Sequence, residues 1–109
     1  MANIYRNAKV DFTNTDNTTV YTSPSNSRAI VKSILVSDDS DSGDSINVTL
    51  TDASSAIFSL FKTKTIGSNA TTELLTQPII LQESEILKAQ ATTAGRLHMV
   101  VSLLEINRD

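Results

Sequence analysis

At 109 residues and 11.8 kDa the chain is long enough for one domain with a modest core. With 9 basic residues against 12 acidic ones it has no cationic field to gather phosphates, which argues against nucleic acid as its main partner. It has no cysteine, so disulfide scaffolds, thiolate metal sites and thiol catalysis are excluded, and no run approaches the ~20 apolar residues that span a bilayer.

The opening residues, Met1 to Arg6, lack the apolar run of a secretory signal. Residues 1–15 read as an N-terminal arm or edge strand, and residues 16–109 as a single β-sandwich domain. Serine and threonine make up about a quarter of the chain and are interleaved with Val, Ile and Leu. That mixture suits pleated strands with one wet face better than helices, where β-branched side chains crowd the preceding turn.

In chain order, residues 8–12 and 18–22 are short, polar strands of the edge type. Residues 28–37 form a longer strand with apolar side chains on both faces, Ile30, Ile34 and Val36 against Val31 and Leu35. The cleanest alternation follows over 45–51, where Ile46, Val48 and Leu50 point to the core and Asn47, Thr49 and Thr51 to water. Residues 56–63 bring Ile57, Phe58, Leu60 and Phe61 together, and Phe58 and Phe61 read as core. Short strands at 72–75, 78–81 and 85–91 lead to a last one over 97–106. Reversals at Ser23-Pro24-Ser25-Asn26, Ile66-Gly67-Ser68-Asn69 and Ala94-Gly95 punctuate the pattern. About eight or nine strands at this spacing predict an all-β fold, a compact antiparallel β-sandwich or a jelly-roll-like barrel of about eight strands.

Few residues offer chemistry. The loop Asp38-Asp39-Ser40-Asp41-Ser42-Gly43-Asp44 is the one place suited to a hard cation. An EF-hand register started at Asp39 puts Asp44 where Gly belongs and Leu50 where Glu belongs, so the loop reads as a solvated turn. His98 is the single histidine and reads as a surface or interface residue. Glu83 and Glu85 would share one face of a strand, but acid-pair chemistry also needs a cleft that desolvates one of them. The five aromatic residues are too scattered for a stacking platform. The reading is therefore a non-enzyme with no cofactor, no metal, and neither nucleic acid nor membrane as partner. The surplus of apolar strand faces on 28–37 and 97–106 predicts self-association or closure into a barrel, because a two-layer sandwich buries one face of each strand.

Several segments carry a resemblance: Thr19-Val20-Tyr21-Thr22-Ser23-Pro24, Ala29 through Val36, Ile46 through Leu50, Glu73-Leu74-Leu75, Pro78-Ile79-Ile80-Leu81, Glu85 through Ala89, and Arg96 through Ile106. In them the chain resembles small virion structural proteins, decoration or accessory proteins, of tailed bacteriophages. The resemblance implies a structural component of the virion, made in the host cytoplasm. The leading expectation is a capsid decoration (cement) protein, a homo-oligomer and specifically a trimer, bound to the major capsid protein or another virion structural protein. A neck, tail or fibre component is the alternative, and a host-surface carbohydrate-binding module a more distant one. Ile4, Tyr5 and Phe12 are the expected partner anchors of the N-terminal segment.

Overall fold

The computed structural model describes residues 2–108, and among them nine strands form two antiparallel sheets packed face to face. The strands are β1 (Ala2–Asp11), β2 (Thr18–Thr22), β3 (Ser27–Asp38), β4 (Asp44–Thr51), β5 (Ile57–Ile66), β6 (Thr71–Glu73), β7 (Ile79–Leu81), β8 (Ile86–Ala91) and β9 (Leu97–Asn107). The first sheet runs β1-β9-β3-β6, with β7 pairing β3 beside β6, and the second runs β2-β8-β4-β5. Apart from the β4–β5 hairpin and the β6–β7 pair, each strand is followed in sequence by one in the opposite sheet. This is the double Greek key of a jelly roll, with one outer strand divided into β6 and β7.

Period-two patterning decides which side chains meet. In β4, Ile46 and Val48 are fully buried and Leu50 packs against the core from a half-buried position. Ala29, Val31, Ile34 and Val36 of β3 and Leu97, Met99, Val101 and Leu103 of β9 face them from the first sheet. The inward set of β3 changes parity at a bulge between Val31 and Ser33, which is why Val31 and Ile34 are both buried. This closed core provides most of the burial free energy, at about 25 cal/mol per Å² of apolar surface.

The N-terminal strand begins at Ala2 and is in register with β9 along its whole length, from Ala2 opposite Asn107 to Asp11 opposite His98. Its far edge is one of the two free edges of the first sheet among the described residues, the other being that of β6 and β7. Phe12, just beyond β1, is 2% exposed and lies in the core. Its N–H donates to Leu97 O and its carbonyl accepts from Gly95 N–H, so backbone bonds on both sides fix the ring inside. Phe58 departs from the sequence reading: it is 54% exposed, because β5 is an edge strand with two register shifts against β4 that turn this end away from the core.

Gly43 closes the turn before β4 with φ +71°, and a Cβ there would sit 3.2 Å from the carbonyl oxygen of Ile66. Both the left-handed backbone and the close approach select glycine. Gly43→Ala is therefore expected to lower stability by at least about 1 kcal/mol, read as a lower urea midpoint at unchanged m-value.

Candidate interaction surface

The loops gather at the two ends of the sandwich. At one end, 12–17, 38–44, 66–70 and 92–96 are tied by Gly95 N–H to Phe12 O, Asp38 N–H to Ala70 O and Asp39 N–H to Arg96 O. The carboxylates here are occupied separately. Asp38 Oδ1 accepts from the Ser40 N–H (2.6 Å) and hydroxyl (2.7 Å), Asp41 from the Asn69 amide (2.5 Å), and Asp44 from Thr93 N–H (2.8 Å). The two bonds from Ser40 hold the Asp38 carboxyl below the usual carboxylate range. Arg96 lies among them and donates to Gly43 O. Among the described residues, no three His, Asp or Glu side chains converge as a metal set would require.

His98 stands on the outer face of the first sheet beside this end. Its Nε2 is 3.2 Å from Asp11 Oδ1 and its Nδ1 is 3.7 Å from Asp39 Oδ2. The two ring nitrogens thus address different carboxylates on opposite sides, a geometry that orients the ring. Glu83 and Glu85 do not share a strand face as the sequence reading had it: both lie in the turn before β8. Glu83 pairs with Arg108 at 2.8 Å, while Glu85 accepts from Gln82 N–H at 2.8 Å.

At the other end a charged cluster reaches into the sandwich. Glu105 of β9 is 4% exposed, and its Oε1 accepts from the Tyr21 hydroxyl at 2.5 Å and from Arg6 Nε at 3.2 Å. Three strands from both sheets meet there. Sequence reading missed all three residues, since an arginine in an edge strand and a glutamate in an apolar one each pass for solvent-facing positions.

The outer face of the first sheet has the marks of a contact surface. Register places Tyr5 opposite Leu104, Leu104 opposite Ile30, and Ile30 opposite Ile80, so one apolar row crosses β1, β9, β3 and β7. Tyr5 is 75% and Ile80 61% exposed. Farther along the strands a second row runs Lys9, Val100, Leu35, Glu73. The amine of Lys32 lies 5.5 Å from the Tyr5 ring centroid, a cation–π contact that steadies the exposed phenol. Glu73 accepts hydrogen bonds from the Ser33 hydroxyl and from the N–H groups of Ile34 (2.8 Å) and Leu75 (3.2 Å). Burial opposes its ionisation, but these bonds outweigh it and hold the carboxyl below its ordinary range. Of the three expected anchors, Tyr5 is on this outer face, Ile4 is half-buried on the inner side of β1, and Phe12 is in the core.

No protein-family model matches the chain. No curated protein matches it in sequence. Among solved structures, one chain of the cyanophage Pam1 capsid asymmetric unit has this fold, with a TM-score of 0.51, 19% identity, and coverage of 97% of this chain and 85% of that one. A chain of the Bacillus endospore appendages, described as a novel family of disulfide-linked pili, is similar with a TM-score of 0.57 and 8% identity over 98% of this chain and 89% of that one. At these identities the likeness is one of fold.

Proposed function

We propose that this protein is a structural component of a virus particle, and that its role is capsid decoration: it binds the assembled head shell and cements neighbouring capsomers. The observation that carries this reading is the end-to-end likeness to a chain of the Pam1 capsid asymmetric unit. A chain of similar length and fold belongs to that capsid asymmetric unit. The mechanism is energetic and involves no reaction. A stiff sandwich that contacts two capsomers at once binds the closed shell better than separated ones, and so stabilises it by linkage.

The endospore appendage likeness offers a filament subunit as a second reading. The absence of cysteine disfavours it, because this chain cannot make disulfide links of the kind that name that family. Within the virion, stoichiometry separates decoration from a neck, tail or fibre role. Quantitative mass spectrometry of purified particles is expected to find copies comparable in number to the capsid subunits. A handful per particle would move the protein to the neck or tail, and its absence would end the virion reading. Particles lacking it are expected to release their genome at lower temperature, with the loss reversed by adding the purified chain. Identical heat profiles with and without it would refute cementing.

A further inference from the structure

We propose that the outer face of the first sheet binds a second copy of this chain, about a two-fold axis parallel to the strands and midway between β3 and β9. The strand registers dictate this pairing. A two-fold axis in the plane of contact brings each position of one copy against the position mirrored across the axis on the other. With the axis between β3 and β9, β1 of one copy lies over the β6 and β7 column of its partner, and β9 lies over β3.

In the first apolar row, Tyr5 then faces Ile80, and Leu104 faces Ile30. In the second row Val100 faces Leu35, and at its ends Lys9 faces Glu73. Within these two rows apolar residues meet apolar ones, and the charges that end the second row meet their opposites twice, once on each side of the axis. In the flanking row Arg28 faces Ile106, and Lys32, which reaches over to Tyr5, must withdraw toward the rim of the contact. An axis shifted by one strand loses this match: placed between β1 and β9 it would set Lys9 over Val100 and leave Ile80 uncovered. Aligned packing within about 30° is the ordinary way for two sheet faces to meet.

The extent of the face is also sufficient. Four strands about 4.8 Å apart, over ten residues at about 3.4 Å each, cover roughly 600 Å² per copy. Two such faces reach the roughly 1,200 Å² at which specific interfaces begin, so the pair is expected to be reversible and concentration-dependent. The pairing is a property of the chain alone and does not depend on the virion reading. If that reading holds, the dimer would present two identical outer surfaces to a junction between capsomers.

Light scattering on the full chain over a concentration series tests it, with a mass rising toward twice 11.8 kDa expected. Ile80→Lys, at an exposed position, should return the chain to monomer, with an unchanged unfolding midpoint at protein concentrations too low for pairing. Register is tested by cross-linking, which has no background because the chain has no cysteine. Tyr5→Cys and Ile80→Cys chains, treated with a short bis-maleimide, should give a covalent dimer when mixed and much less when each is alone. A monomer at every concentration, a trimer, a dimer indifferent to Ile80→Lys, or equal cross-linking of the separate variants would each overturn the proposal.

Discussion

Phe12→Ala is expected to lower the unfolding free energy of the isolated chain by about 3–5 kcal/mol. Domains of this kind commonly have only about 5–15 kcal/mol in total, so the variant should sit near the limit of folding. The cause is the position of the ring: it is 2% exposed, between the sheets, at a point where backbone bonds to Leu97 and Gly95 prevent the chain from closing the gap. The measurement is urea unfolding at low protein concentration, where assembly plays no part. It also distinguishes two roles for this residue. A partner anchor would leave the isolated chain unaffected and weaken only its complex, whereas a core residue lowers the midpoint in both conditions. Tyr5→Ala supplies the control, with a change below about 0.5 kcal/mol expected for the isolated chain at such an exposed position.

The second large effect is expected at Glu105. Arg6→Ala leaves a 4% exposed carboxylate with the Tyr21 hydroxyl as its remaining side-chain partner. Breaking a fully buried pair costs about 3–5 kcal/mol, and the half-exposed arginine side chain reduces this to about 1–3 kcal/mol here. Adding Glu105→Gln should recover part of the loss, because a neutral amide needs no counter-charge. Burial, and then the hydrogen bond and charge of Glu105, push the Tyr21 phenol well above its ordinary value of 10.0. Above that pH the unfolded chain releases a proton that the folded chain retains. Stability is therefore intact below about pH 10 and declines above it, by up to about 1.4 kcal/mol per pH unit from this group. Tyr21→Phe should flatten that alkaline slope, and unfolding midpoints compared between pH 9 and pH 11 would show it. An unchanged slope would mean that the phenol ionises freely in the folded state.

Both of these sites escape a local reading of the chain, which succeeds elsewhere. The alternation over 45–51 assigned Ile46, Val48 and Leu50 to one face, and the core contains the first two fully and the third in part. Strand identity was equally legible along 28–37 and 97–106, since β-branched and apolar residues set that preference within a few positions of themselves. The two-sided character of those strands was visible too, and it is the reason an apolar row exists on the outside. Phe58 failed for a local pattern with a non-local cause: nothing in residues 56–63 reveals that β5 ends a sheet and slips against β4.

What the sequence by itself determined is the kind of structure: strands, their approximate bounds, their turns, and a core made of their apolar faces. Those properties follow from side-chain shape and period-two alternation, which act between near neighbours. What only the tertiary structure decided is adjacency. That Arg6 and Tyr21 meet Glu105, that Phe12 is enclosed, and that Tyr5, Leu104, Ile30 and Ile80 align into one row all depend on strand order and register. Order and register are fixed by how two whole sheets close over one another, and no stretch of the chain short enough to be read locally contains that information.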